Sequence, residues 1–241
     1  IKELHDKITD FNVKNNKAVQ LGISPSGIYR NGSYSSATPE YDANGNLTYP
    51  LYSNTSGFAH YDNYLYSDTK KWIDEEWIDY ILPQTYWAIG HTSASFAKLA
   101  EWWSWAVKYK KVNLYLGVGI YMSLENTSSG QYWKSSTEVK DQIELANRYY
   151  DTIDGLSFYK YSSMLSSNSL MQGYVKHLED YWIKDLPGAV QQRYTHLPEP
   201  DVTNLVLEGT TLSWNKVDNV RGYVVWQTKR NGEVNQVDPD I

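Results

Sequence analysis

The 241-residue chain contains no cysteine, which excludes disulfide bonds and thiolate metal sites. No apolar run reaches the roughly 18 residues that a membrane-spanning helix needs. Lysine and arginine number 22 against 28 aspartates and glutamates, a net charge of −6. This balance argues against a nucleic-acid partner, because phosphate neutralisation needs clustered cations. No group of histidines and acids has metal-ligand spacing, so neither a metal nor another cofactor is expected.

Phenylalanine is also scarce, at 4 residues, whereas tyrosine and tryptophan number 22 and 10. Tyrosine and tryptophan each combine a flat apolar face with a polar group. Sugars offer apolar C–H faces ringed by hydroxyls, so these side chains suit a sugar-binding cleft. Composition alone leaves open the alternative that they replace phenylalanine in the core.

Hydrophobic periodicity predicts helices that alternate with buried strands. The predicted helices cover about 1–17, 62–77, 96–107, 136–150 and 167–182, and the strands cover 18–24, 78–87, 112–121 and 155–162. Such alternation indicates α/β architecture with parallel βαβ units. A doubly wound open sheet is one alternative, but no G-x-G-x-x-G or P-loop follows any strand. We therefore predict the second half of a (β/α)8 TIM barrel over residues 1–190. The polar stretch 30–62 is expected to be a functional or disordered loop, because long loops in compact domains usually are.

The residue pattern changes after about residue 197, where the alternation of predicted helices and strands ends. A proline-flanked linker at 191–200 leads to alternating segments separated by short turns in 201–241. Trp214, expected to be buried, suits the first strands of an all-β sandwich. Such a module needs about 100 residues, so the sandwich is expected to be truncated here.

Four segments carry a resemblance to a known family: LGISPSGIYRN (21–31), HYDNYLYSDTKKWIDEEWIDYILPQTYW (60–87), LAEWWSWAV (99–107) and VNLYLGVGIY (112–121). In order and spacing they resemble glycosyl-hydrolase-like family 10, the YngK/YddW-type bacterial lipoprotein family. Residues 197–241 resemble the start of a fibronectin type III module. The family's F-D-D-Y motif is absent and is expected upstream of this chain.

The resemblance implies a (β/α)8 barrel that hydrolyses O-glycosidic bonds of a bacterial cell-wall or related polysaccharide. Some relatives act on peptide-free peptidoglycan strands. The parent protein is expected to be an exported glycosidase, extracellular or in the cell envelope, with this segment incomplete by itself. A lipid anchor is one alternative, and any signal peptide would lie upstream, since IKELHDKI lacks an apolar stretch.

Barrel active sites lie at the carboxyl ends of the strands and in the loops that follow. The predicted substrate-binding residues at these positions are Ser26, Arg30, Gln84, Tyr86, Trp87, Tyr121 and Lys160. Arg30 suits carboxylates or sugar hydroxyls through its planar donor fork, or it holds the long loop by a salt bridge. Side chains alternate along Pro-Gln-Thr-Tyr-Trp, so Gln84, Tyr86 and Trp87 cannot all face the barrel axis.

None of these strand ends carries a carboxylate, although glycoside hydrolysis usually needs two carboxyl groups. The main catalytic acids are therefore unknown and are expected upstream. We interpret the remaining acids as follows: Asp42, Asp62 and Glu125 as solvated or capping groups, Asp68 as a helix cap, and Asp79 and Asp154 as strand-start residues of structural importance. Trp102, Trp103 and Trp105 could form a binding platform, although Trp103 falls on the apolar stripe of its helix. His91 is a general-acid candidate or a plain surface residue.

Two functions remain open from the sequence. The first is a glycosidase whose substrate is a polysaccharide or oligosaccharide. The second is a non-catalytic carbohydrate-binding or cell-wall-associated protein on a hydrolase fold, and an upstream Asp-Asp pair would favour the first. A half barrel also leaves unpaired strand edges, which predicts self-association or pairing with further chain.

Overall fold

The structure is a computed structural model that describes residues 1–35, 38–62, 65–185, 202–217, 225–228 and 234–237. The chain forms two compact units, residues 1–196 and residues 197–241. The predicted linker at 191–200 lies outside the described residues. Within the described ranges, no helix has both the length and the apolar character that crossing a membrane would require.

The described elements follow one another in the alternating order that the periodicity predicts. The helices are α1 (Lys2–Asn15), α2 (Thr69–Asp74), α3 (Phe96–Val107), α4 (Glu138–Asn147), α5 (Tyr161–Met164) and α6 (Ser169–Asp185), with 3-10 helices at Ile120–Leu124 and Gly130–Lys134. The strands are β1 (Gly22–Ile23), β2 (Glu40–Tyr41), β3 (Leu47–Tyr49), β4 (Tyr80–Ile81), β5 (Asn113–Val118), β6 (Ile153–Phe158), β7 (Val206–Glu208), β8 (Thr211–Ser213), β9 (Val225–Thr228) and β10 (Val234–Val237).

Strands β1, β4, β5 and β6 form a parallel sheet in that order. Each strand therefore lies next to the preceding strand of the sheet along the chain, so successive right-handed crossovers place their helices on the same face. Helix α3 packs against β5, and α4 packs against β6 and α3. The predicted mixed α/β class with a parallel sheet is confirmed, and it is consistent with part of a TIM barrel.

Two aspartates hold the amino ends of neighbouring strands together. The Asp79 carboxylate accepts a hydrogen bond of 2.5 Å from the Leu21 amide. Asp154 accepts one of 2.8 Å from the Leu114 amide. Their positions at strand starts predict this structural role. Asp68 also caps its helix as predicted, accepting from the Lys71 amide at 3.0 Å.

Residues 30–62 differ from the expected irregular loop, because β2 and β3 pair as an antiparallel hairpin within them. The segment packs on α3: the Tyr41 hydroxyl donates to the carbonyl oxygen of Trp105 at 3.2 Å. At the hairpin tip, the buried Lys110 ammonium donates to the carbonyl of Asn44 at 3.0 Å. Lys110 precedes β5, so the tip lies towards the amino end of the sheet and away from the strand ends predicted to bind sugar.

Helix α3 is buried more completely than its apolar stripe predicts. Ser95 caps it, accepting from the Ala97 amide at 3.2 Å. Trp103 belongs to the stripe, yet Trp102 is equally inaccessible. The indole of Trp102 donates to the carbonyl of Pro50 at 3.0 Å, so the long segment covers the side of α3 that would otherwise face solvent.

The second unit contains two antiparallel pairs, β7 with β8 and β9 with β10. These strands lie within residues 201–241, where the sequence predicts alternating segments. Trp214, expected to be buried, is only partly buried.

Candidate functional site

Three tyrosines meet at the carboxyl end of the sheet, and we call Tyr86, Tyr121 and Tyr159 the tyrosine cluster. The rings of Tyr86 and Tyr159 stack at 5.5 Å between centroids. Tyr121 lies edge-on to both, at 6.0 Å from Tyr86 and 5.7 Å from Tyr159. Their backbones meet as well, since the Tyr121 amide donates to the carbonyl of Tyr159 at 3.3 Å. Two predicted site residues, Tyr86 and Tyr121, are thereby brought together.

Two glycines, Gly117 within β5 and Gly119 just after it, leave space for the tyrosine cluster. A Cβ at Gly119 would lie 2.7 Å from Cβ of Tyr86, and one at Gly117 would lie 3.1 Å from its ring. Contacts under 3.0 Å are not tolerated by real Cβ atoms. The absence of a side chain at both positions therefore lets the Tyr86 ring lie across the neighbouring strand.

The cluster is partly open to solvent, and two of its three hydroxyl groups have a raised pKa. Tyr159 is 49% exposed, while Tyr86 and Tyr121 are half-buried. Burial, with Tyr159 and Tyr121 alongside, raises the pKa of Tyr86 to about 12. Burial and the nearby Glu125 carboxylate raise the pKa of Tyr121. The hydroxyls of Tyr86 and Tyr121 can therefore donate as well as accept a hydrogen bond.

Gln84 lies beside the end of β1. Its amide nitrogen is 3.3 Å from the carbonyl oxygen of Ser24 and 3.4 Å from the Ser24 hydroxyl. A further parallel bridge joins Ser26 to Gln84. Gln84 and the serines are thus neighbours at the same edge of the sheet as the tyrosine cluster.

Trp87, predicted to bind substrate, lies near His91 and Gly27. Its ring lies 6.5 Å from that of His91. A Cβ at Gly27 would lie 2.9 Å from the Trp87 ring. His91 is a partly buried loop residue whose Nδ1 accepts from the Ala94 amide at 3.2 Å. The structure groups Trp87 with His91 and Gly27.

Arg30 forms the salt bridge that the sequence left as one of two alternatives. Its Nε lies 3.4 Å from Asp62 Oδ2, and its guanidinium lies 4.7 Å from the centroid of the Tyr61 ring. The two charged side chains are 36% and 40% exposed. An ion pair this exposed contributes little to stability, at most about 1 kcal/mol. The structure groups Arg30 with Asp62 and Tyr61.

His60 is a site residue that the sequence interpretation missed. It is fully buried, and its Nδ1 lies 3.1 Å from the Ser26 hydroxyl. Its Nε2 lies 2.7 Å from the hydroxyl of Thr69. Burial lowers the pKa of His60 to about 4. The signal was its place within the segment 60–87 that carries the family resemblance, but Ser26, its partner at the strand end, lies 34 residues away in the sequence.

Asp42, Glu125 and Lys160 lie on the surface. The Asp42 carboxylate accepts from the Asn44 and Asn46 amides at 2.8 and 2.9 Å, which holds its pKa below the usual range, with Asn46 contributing most. Glu125 is exposed. Lys160 is exposed next to Tyr159, at the start of α5. Within the described ranges, no three histidine or acidic side chains converge to hold a metal ion.

The tryptophan platform suggested by the sequence is wrong for two of its three members. Trp102 and Trp103 are fully buried, and the Trp103 indole donates to the carbonyl of Gly27 at 2.8 Å. Trp105 is partly buried, 6.3 Å from the ring of Tyr34. The long segment that covers α3 removes these rings from solvent.

Comparisons with known proteins agree on one family. Residues 1–135 match the family model described as Glycosyl hydrolase-like 10. The chain is 39% identical to Glycosyl hydrolase YngK of Bacillus subtilis (strain 168) over 138 residues, which is 57% of this chain and 24% of that protein. It is 31% identical to Glycosyl hydrolase DigH of Escherichia coli (strain K12) over 167 residues, 68% of this chain and 34% of the relative. The matched region thus spans about a quarter to a third of these relatives.

Proposed function

Because the chain belongs to the glycosyl hydrolase-like 10 family, we propose that it supplies the sugar-binding face of a glycosidase. The proposed substrate is the glycan of a bacterial cell wall, specifically peptidoglycan strands that have lost their peptides. The observation that carries this proposal is the tyrosine cluster at the carboxyl end of the parallel sheet.

The geometry of the cluster suits a sugar ring. Tyr159 is 49% exposed beside the stacked Tyr86, which offers an aromatic surface to C–H groups. Phenol hydroxyls and the Gln84 amide supply donors and acceptors for sugar hydroxyls. Few polar groups set among aromatic faces are typical of small-molecule binding sites. Ser26, Arg30 and Lys160 complete the proposed binding face from the neighbouring loops.

The acid–base machinery is proposed to lie in a further part of the protein. Two carboxyl groups usually flank the bond that a glycosidase cleaves, whereas the described ends of β1, β4, β5 and β6 carry serine, glutamine and tyrosine. The named relatives are about three to four times longer than their matched regions. We propose that the sheet is the second half of a (β/α)8 barrel whose first half brings the acids.

Three further assignments accompany this proposal. Residues 201–241 are proposed to begin a fibronectin type III-like module. The protein is proposed to be exported, to the cell envelope or beyond. In isolation the half barrel is proposed to self-associate through its strand edges, for which a monodisperse monomer in light scattering would be contrary evidence.

A non-catalytic carbohydrate-binding protein is the second candidate. The observation in its favour is that the tyrosine cluster could hold a sugar without any carboxylate at the described strand ends. Both candidates predict binding, and turnover separates them.

The test incubates the full-length protein, and this chain alone, with peptide-free peptidoglycan strands. Released oligosaccharides are then measured by mass spectrometry. We expect products from the full-length protein and none from the chain alone. Tyr86→Ala should lower kcat/KM at least about tenfold, the effect of losing about 1.4 kcal/mol of binding. Tyr150→Ala, at an 81% exposed tyrosine before β6, is the matched control and should leave turnover unchanged.

Binding without products would favour the second candidate. Neither binding nor products, on these strands and on a panel of other polysaccharides, would refute both candidates.

A further inference from the structure

A buried histidine connects the edge of the candidate sugar site to the first residue of α2. Ser26 follows β1, His60 lies where the long segment returns to the sheet, and Thr69 begins α2. His60 and Thr69 are both fully inaccessible, whereas Ser26 is partly exposed. The contacts therefore connect the partly exposed hydroxyl of Ser26 to the buried side chains of His60 and Thr69.

The histidine ring is fixed from several directions. Its backbone amide donates to the carbonyl of Ile28 at 3.1 Å. The ring stacks on Trp103 at 6.2 Å and meets the Tyr29 ring edge-on at 5.7 Å. With both nitrogens also engaged by hydroxyls, the orientation of the imidazole is determined by packing and hydrogen bonds together.

A neutral imidazole has one N–H donor and one acceptor nitrogen. If Nδ1 accepts from Ser26, Nε2 donates to Thr69 and the lone pairs of Ser26 remain for an incoming donor. If Nδ1 donates instead, the proton of Ser26 is available for an acceptor, with the carbonyl of Phe58 already 3.4 Å away. In both arrangements one side of the Ser26 hydroxyl is committed to His60, and at least one lone pair of its oxygen remains for an incoming donor.

The arrangement does not activate Ser26 as a nucleophile. Burial lowers the pKa of His60 to about 4. A general base is most effective when its pKa lies near the working pH, so a histidine this weakly basic takes up the serine proton poorly. The contact is suited to holding the hydroxyl in place.

Building on the proposed function, we propose that His60 is a positioning residue that directs the Ser26 hydroxyl towards a sugar hydroxyl of the substrate. The parallel bridge between Ser26 and Gln84 sets this hydroxyl beside the strand that carries Tyr86. Ser26 thereby extends the sugar-binding face from β4 to β1.

The test uses two substitutions that separate the nitrogens of His60. Asparagine places its amide near the position of Nδ1, so His60→Asn keeps a partner for Ser26 and loses the one for Thr69. Glutamine reaches towards Nε2, so His60→Gln does the reverse. Both variants remove a packed ring and should lower the melting temperature similarly, so a loss of stability cannot account for a difference in binding.

The measured quantity is the dissociation constant of a peptide-free peptidoglycan tetrasaccharide for the full-length protein. Ser26→Ala and His60→Gln should each raise it about tenfold, equivalent to 1.4 kcal/mol. His60→Asn should stay within about twofold of wild type. The double variant with Ser26→Ala and His60→Gln should bind no more weakly than either single variant, because both changes remove the same contact.

Equal weakening by the two His60 variants, or unchanged binding by Ser26→Ala, would overturn the inference while leaving the proposed function intact. If the wild-type protein binds neither the tetrasaccharide nor any other glycan tested, the proposed function fails and this inference fails with it. The wild-type measurement distinguishes the two failures.

Discussion

Replacing Gly119 by alanine should displace Tyr86 and so disturb the tyrosine cluster. The added Cβ would lie 2.7 Å from Cβ, 2.9 Å from Cγ and 3.0 Å from Cα of Tyr86. Carbon atoms prefer separations of about 3.5–4.0 Å, and the backbone of Tyr86 cannot swing aside as a flexible side-chain end could. Overpacking of this kind costs about 1–3 kcal/mol. Displacing Tyr86 should also weaken its stack with Tyr159.

The assay is thermal unfolding of the full-length protein together with its affinity for a glycan oligosaccharide. Gly173→Ala is the matched control, because Gly173 lies in α6 and a Cβ there would meet nothing within 4 Å. Alanine in a helix interior is favoured over glycine by about 0.5–1 kcal/mol. Gly119→Ala should therefore lower the melting temperature and the affinity, while Gly173→Ala should raise the melting temperature slightly and leave the affinity unchanged.

The reasoning is refuted if Gly119→Ala melts and binds like the wild type. It would also be refuted if Gly173→Ala lowered the affinity as much as Gly119→Ala does, since the effect would then not depend on contact with Tyr86.

Three further predictions concern His60, Trp102 and Asp154. Acidification should destabilise the protein through His60, because its folded pKa of about 4 lies below the unfolded value of about 6.5. As the pH falls from about 6.5 to 4, the unfolded state therefore binds a proton that the folded state does not. This should lower the free energy of unfolding by on the order of 3 kcal/mol at pH 4. In thermal melts His60→Asn should lose less stability over that window, and an equal loss would contradict the assignment. Trp102→Ala should destabilise by about 3–5 kcal/mol without changing the glycan affinity of the folded protein, whereas a specific loss of affinity would restore the platform hypothesis. Asp154→Ala should accelerate hydrogen exchange at the Leu114 amide about tenfold, in line with the loss of one hydrogen bond, and unchanged exchange would exclude the contact.

The alternation of strands and helices was predictable because apolar periodicity is a local property. The extents of the strands were not. The strands predicted at 18–24 and 78–87 correspond to ladders of only two residues each in β1 and β4. Pro25 and Pro83 follow these ladders and cannot donate backbone hydrogen bonds, so the chain continues as isolated bridges that present Ser26 and Gln84.

The carboxylates at helix and strand starts were predictable for the same local reason. Asp68 bonds an amide three residues away, as a helix cap does. Asp79 and Asp154 bond amides 58 and 40 residues away, so the sequence predicted their structural role at strand starts but not these partners. The tyrosine cluster was predictable in part, since Tyr86 and Tyr121 follow strands.

The roles of Trp102 and His60 depend on contacts that no local pattern encodes. Trp102 bonds a carbonyl 52 residues away along the chain, and His60 bonds a hydroxyl 34 residues away. Both contacts arise because the long segment folds back over α3 and returns to the sheet. A sequence window that contains either residue contains neither of these partners.

The hairpin tip has the composition of an ion-binding turn, Asp-Ala-Asn-Gly-Asn, and the protein provides the cation from its own chain. The ammonium of Lys110 lies among three oxygens: the carbonyls of Asn44 and Asp74, each at 3.0 Å, and the Asn46 side-chain oxygen at 2.5 Å. A tethered cation cannot diffuse away or be extracted by a chelator. We therefore expect the order of this turn to follow the folding of the segment around Lys110.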